Sequence, residues 1–291
     1  MKGKFKSFFA AIGYLLLVFL IQVSISLVGG IGLGIYYVVK GISNSPTDTL
    51  AMEQNMNELV NTATKLTSVF LLISSIVTVL IFILIFKIRK KNYKEELQFN
   101  KTKNNNLVIG MVLGFSGWLL NSGILSILEE NNFFKEQFQT MNDMLAPVME
   151  GNLFILILTV GIIAPFTEEF IFRGVIYKTL NKRISVKWSI ILQGILFGVF
   201  HMNFIQGAYA TVLGILFGYL TYKSKSIWPA IIMHITNNLI ATLSGFILGN
   251  VIMNTVGYLT LAVLGITGIL ISILYIKNNN REEISDSYSI Y

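Results

Sequence analysis

The stretch "NLFILILTVGIIAPFTEEFIFRG", residues 152–174, runs without a charge as far as Pro165 and then places Glu168, Glu169 and Arg173 within six positions. A helix needs ~20 mostly apolar residues to cross ~30 Å of hydrocarbon, and this run, continued through "VIY", supplies them. At ~1.5 Å per residue the segment from Glu168 to Tyr177 would cover a further ~15 Å. The two glutamates would then lie near mid-membrane, where an ionised residue costs at least a few kcal/mol and usually faces a protein interior or a water cavity. A second reading stays open on this segment alone, in which the span ends early and the charges sit at the cytoplasmic interface.

Composition places the segment in a membrane protein. Apolar residues make up 54% of the chain and charged ones 13%, with a mean hydropathy of +0.67, outside the usual balance of soluble domains. Sorting apolar runs by length predicts an all-α, polytopic helical bundle of about eight spans. They are residues 8–39, 66–86, 107–128, 152–177, 188–203, 208–222, 227–248 and 251–276, with only "MNFIQG" separating the fifth from the sixth. The first run is about twice the length of a signal-peptide core and reads as a retained helix.

Alternating these spans from a cytoplasmic N-terminus leaves only Lys40, Lys65 and Lys135 of the 22 lysines and arginines on the outer side. The bias fixes the orientation, with both termini cytoplasmic. It also accounts for the net charge of +7 through the bilayer rather than a nucleic-acid partner. The absence of cysteine excludes disulfides and thiol catalysis. Compact loops and a bias to Ile, Lys and Asn suggest a bacterial cell membrane. The outer segments 40–65 and 129–150 have room for short helices, and the polar tail "KNNNREEISDSYSIY" reads as mobile. The string "GGIGLG", residues 29–34, has no strand before it and reads as a helix-packing face rather than a nucleotide loop.

Helix geometry sharpens the role of the charges. Residues four apart share a face, so Glu169 and Arg173 can pair, while Glu168, rotated by about 100°, is left available. Pro165 cannot donate to the carbonyl of Gly161, which favours a kink or local opening. The chain has two histidines, and both fall in apolar spans: His201 ends "FGVFH", four residues after Phe197, and His234 lies four before Asn238. Three titratable groups on three apolar helices suit an intramembrane active site or a proton path. Pro229 fits the first turn of the seventh span with Ser226 as its cap. "GILFG" at 194–198 and again at 214–218 offers two G-x-x-x-G faces on which spans five and six can meet closely.

"EEFIFR", "FGVFH" and "HITNN", in this order on successive spans, resemble the signatures E-E-x-x-x-R, F-x-x-x-H and H-x-x-x-N of the CAAX protease and bacteriocin-processing family, also called the Abi family, of intramembrane proteases. The resemblance covers about residues 150–245. It implies an endopeptidase acting in the bilayer on a peptide or lipid-modified protein. Glu168 then resembles the carboxylate that activates water, His201 its partner, and His234 and Asn238 the residues that stabilise the oxyanion. Glu169 and Arg173 resemble a supporting ion pair. Family members are often described as metalloproteases, but a catalytic zinc takes three protein ligands and a water. His201 and His234 would need Glu168, Glu169 or Asn238 as the third, and using Glu168 removes the base. A glutamate-activated water with no required cofactor is therefore favoured, with zinc as the alternative. On this reading residues 1–149 form N-terminal helices and outer loops, 150–248 the catalytic core, and 249–291 the last helix and cytoplasmic tail. A non-proteolytic membrane scaffold or immunity protein with the same fold, and a proton-coupled transporter, are the rival functions.

Overall fold

The computed structural model describes residues 2–44, 49–247 and 253–279, and among them the secondary structure is helical throughout. Ten helices carry the architecture: α1 (Lys2–Asn44), α2 (Thr49–Lys65), α3 (Thr67–Ile88), α4 (Asn104–Glu130), α5 (Lys135–Met149), α6 (Leu153–Asn181), α7 (Val186–Phe200), α8 (Phe204–Ser224), α9 (Trp228–Ile247) and α10 (Thr255–Asn279). Seven of them, all except α2, α5 and α7, are long and apolar enough to cross a membrane. Leu16, Leu20, Leu27, Ile31 and Ile35 on α1 and Leu270, Ile271 and Leu274 on α10 face outward, as side chains covered by lipid rather than water would.

The helices follow the eight expected runs with one correction. The fifth, α7, has 15 residues and rises only ~22 Å. The break after it is shorter than "MNFIQG": Met202 takes a left-handed φ of 56°, and the Asn203 side chain accepts from the Gln206 amide at 2.7 Å, capping α8 one turn earlier than hydropathy places it. The outer segments do form helices, α2 and α5. "GGIGLG" is helical, but only Gly29 is in close packing, against the Phe70 ring; a Cβ at Gly30, Gly32 or Gly34 meets nothing within 4 Å. Most of the polar tail, residues 280–291, lies outside the described residues, as do 248 and 251–252 at the edges of the last two expected spans.

Short contacts define the two ends of the bundle. At one end Arg89 donates to Tyr14 Oη at 2.9 Å, Asn105 to Tyr275 Oη at 3.0 Å and Asn100 to the Lys225 carbonyl at 2.9 Å, and Gly3 lies beside the Arg183 side chain. At the other end Lys40 pairs with Glu58 at 2.6 Å and the Phe134 and Phe204 rings meet. The start of α1 and the end of α10 therefore share one end of the bundle, the end that gathers most of the lysines.

Helix α6 is continuous, yet its winding changes twice. Residues Ile157–Ile163 and Phe170–Ile176 are π-helical, flanking the α-helical turn Ala164–Glu169. The Ala164 amide donates to the Thr159 carbonyl and the Tyr177 amide to that of Phe172, five residues back in each case. Pro165, which has no amide to give, sits at the first of these openings, where the proline argument expects disruption. Thr159 and Thr167 fasten the segment to α3, donating to the carbonyls of Ser68 at 3.2 Å and Ser75 at 3.5 Å.

Close helix approach places the remaining walls. Gly214 of α8 lies against Gly194 of α7, where a Cβ would come within 3.0 Å of the Gly194 Cα, and a Cβ on Gly198 would run into the Gly207 carbonyl and Thr211 Oγ1. The repeated glycine pattern thus works as expected. Gly110 and Gly114 let α4 approach the backbone of α9 at Pro229 and Met233. Ser226 Oγ accepts from the Trp228 amide at 3.3 Å and donates to the Asn100 carbonyl at 2.7 Å, so the cap of α9 also ties two loops together.

Candidate active site

Glu169 and Arg173 are both fully buried, and Arg173 Nη1 donates to Glu169 Oε1 at 2.8 Å. The guanidinium lies between the rings of Phe197 and Phe217, its carbon 4.5 Å and 4.7 Å from their centroids, and its Nη2 donates to the Gly214 carbonyl at 3.1 Å. Gln193 Nε2 donates to the same carbonyl at 2.7 Å. Arg173 therefore binds α6 to the α7–α8 hairpin through charge, hydrogen bonding and ring contact together. Sequence spacing identified the Arg173 pair; it gave no sign of Gln193.

His234 reaches the same carboxylate from α9. Its Nδ1 donates to Glu169 Oε1 at 2.8 Å, and its ring stacks on Phe217 with centroids 4.8 Å apart. With Nδ1 holding the hydrogen, the neutral ring carries its lone pair on Nε2, and Nε2 lies 3.8 Å from Glu168 Oε2. The Glu168 side chain is 22% exposed against 0% for Glu169. Adjacent carboxylates thus have separate surroundings: Glu169 is locked into the bundle and Glu168 opens to a cavity.

That cavity holds about 340 Å³ and is lined by Glu168, His201, His234 and Asn238 together with Tyr209 and Asn237. His201 is tied down at Nδ1, which donates to the Phe197 carbonyl at 2.8 Å, leaving Nε2 as its free nitrogen. Phe197, the first residue of the F-x-x-x-H motif, therefore supplies both a carbonyl for His201 and a ring for Arg173. Asn238 donates through Nδ2 to the Val160 carbonyl at 3.2 Å, within the first π-helical segment of α6, and accepts from Asn237 at 3.0 Å. All six residues expected from the motifs converge here. Five line the cavity or bond to a residue that does, and Arg173 stands behind them through Glu169. Val18 and Gln22 of α1 and Leu145 and Met149 of α5 complete the walls, a contribution from outside residues 150–248 that motif reading did not anticipate.

As a metal site the arrangement is incomplete. Both imidazoles have the tautomer a metal ligand needs, with Nδ1 held by an acceptor and Nε2 open. Among the described residues, however, no three His, Cys, Asp or Glu side chains converge as ligands, and a catalytic zinc takes three. What the cavity offers is an available carboxylate beside two oriented imidazoles, in apolar surroundings that strengthen electrostatic interactions.

Residues 150–240 match the protein family described as type II CAAX prenyl endopeptidase Rce1-like. A Bacillus subtilis protein named "Putative membrane peptidase YdiL" is 25% identical over 135 residues, which cover 45% of this chain and 53% of the relative. The match thus spans about half the length of each. No solved structure matches the chain. Over the segment that carries the three motifs, the resemblance to the CAAX protease and bacteriocin-processing family holds.

Proposed function

We propose that the chain is an intramembrane endopeptidase that hydrolyses a peptide bond in a membrane-associated or lipid-modified protein. The observation that carries this reading is the array Glu168, His234, Glu169 and Arg173 at the wall of a cavity buried in an apolar bundle. With His201 beside it, the array presents an available carboxylate and two oriented imidazoles, the groups that general-base hydrolysis requires.

Glu168 takes a proton from a water in the cavity, and His201 Nε2 accepts the second hydrogen of that water, aligning it. The water oxygen adds to the scissile carbonyl carbon. His234, 3.8 Å from Glu168, receives the proton at Nε2 and passes it to the departing amine as the C–N bond breaks. While protonated it faces the tetrahedral oxyanion, with Asn238 beside it. Glu169 holds His234 in the productive tautomer, and Arg173 neutralises Glu169 so that the buried pair carries no net charge. No step in this reading is routed through a metal.

The test is incubation of the detergent-purified protein with membrane peptides, read by mass spectrometry, beside a Glu168→Gln control. General-base loss costs ~10²- to 10⁴-fold in rate, so cleavage should fall to background in a control that melts like the wild type. Equal cleavage by both proteins, or none by the wild type, overturns the reading and favours a scaffold. Chelation followed by zinc readdition tests the metal-free mechanism separately: activity lost and then restored in proportion to added zinc would reassign His201 and His234 as ligands.

A further inference from the structure

The motif residues turn mostly acceptors towards the cavity, whose other wall donors are the side chains of Gln22, Ser75, Thr78, Thr242 and Tyr209. Glu168 is a carboxylate. His201 and His234 direct their Nδ1 hydrogens to Phe197 and Glu169, so in the neutral form each ring turns an Nε2 lone pair towards the cavity. Asn237 uses its amide on Asn238 and leaves its buried Oδ1 without a partner. Asn238 has given one of its two amide hydrogens to Val160. A tetrahedral intermediate needs donors aimed at its oxyanion from the moment the water adds, before His234 has received the proton.

Tyr209 is a hydroxyl that can supply one. It lies on α8, two turns before Phe217 on the same face, and residues 209, 213 and 217 all line the cavity. Phe217 stacks on His234, so this face runs from the His234 wall back towards the α7–α8 turn that carries His201. Tyr209 and Glu168 line the same cavity. The Tyr209 hydroxyl makes no hydrogen bond to the described protein, whereas Tyr14, Tyr37 and Tyr275 each bond to a side chain of another helix. Gln206, the neighbouring polar residue on the cavity wall, accepts from Asn203 Nδ2 through its Oε1 at 2.9 Å.

Resting on the peptidase reading, we infer that Tyr209 is a further catalytic residue: its O–H donates to the oxyanion of the tetrahedral intermediate, sharing it with the second amide hydrogen of Asn238. The hydroxyl keeps its proton throughout. The bond it makes is stronger to the oxyanion than to the ground-state carbonyl, which is the condition for accelerating the reaction rather than only tightening binding.

The experiment compares wild type with Tyr209→Phe, which keeps the ring and removes only the oxygen, on a peptide the wild type cleaves. Loss of one oxyanion donor costs ~10²- to 10³-fold in kcat; KM and the melting temperature should stay near wild type. A phosphinate peptide, whose tetrahedral anion imitates the intermediate, should lose affinity for Tyr209→Phe while the uncleaved peptide, measured in a Glu168→Gln background, does not. A wild type that cleaves nothing removes the peptidase reading and this role with it. Cleavage by Tyr209→Phe at the wild-type rate removes the role alone, as does a loss of activity matched by a loss of folding or by equal weakening of both ligands.

Discussion

Arg173 and Glu169 are buried together, so removing one leaves the other charge without its partner. Arg173→Ala should destabilise the protein by ~3 to 5 kcal/mol, the usual cost of breaking a buried pair from one side, seen as a lower melting temperature in detergent and a lower yield. Arg173→Lys should recover only part of this, since a single ammonium cannot bridge Glu169 and the Gly214 carbonyl or lie flat between Phe197 and Phe217. A normal melting temperature for Arg173→Ala would show that the pair does not hold the bundle. The four-residue spacing on one helix made this pair legible in sequence. The His234 contact with Glu169 was not, because it joins helices 65 residues apart and depends on the rotation of α6. Tyr209 and Gln193 left no trace in the motifs: an aromatic or an amide on an apolar helix reads the same whether it packs, bonds or reacts.

Helices α7 and α8 form a hairpin whose glycines set its spacing. At Gly198 a methyl group would meet a carbonyl and a threonine hydroxyl of α8 with no open side to yield. Gly198→Ala should therefore force the hairpin apart at a cost of ~1 to 3 kcal/mol and displace His201, three residues on. Gly34→Ala, in open surroundings on α1, should melt like the wild type. Thermal unfolding of the two variants in the same detergent is the measurement, and equal melting temperatures would contradict the packing described. Glycine spacing was readable from the sequence because small residues repeating every fourth position have few other uses in a membrane helix. The second π-helical segment was not readable. Pro165 signals the first opening, but nothing in "FIFRGVI" marks a change of winding.

For the molecule as a whole, the chain should present both termini to the cytoplasm, since the start of α1 and the end of α10 share the end of the bundle where the lysines collect. A reporter fused after Tyr291 should be active only in its cytoplasmic form; labelling from outside the cell would mean one helix fails to cross. Hydropathy made the number of apolar runs legible, but it placed the end of α7 three residues late, because it does not register the left-handed backbone at Met202 that ends the helix. That short helix reaches the outside of the bundle, where Trp188, Ile195 and Val199 are exposed. Beside it the lipid must match a hydrophobic wall ~22 Å tall, some 8 Å less than the ~30 Å of an average hydrocarbon core. Lipids there should compress, and a mismatch of this kind costs fractions of a kcal/mol per Å. A thinned annulus is therefore expected on the flank nearest His201, and on the proposed peptidase reading a water and the end of a substrate helix would have less hydrocarbon to cross there. Reconstitution into bilayers of increasing acyl length should slow cleavage progressively as that annulus becomes harder to form, while detergent activity, which has no such thickness to match, sets the upper limit.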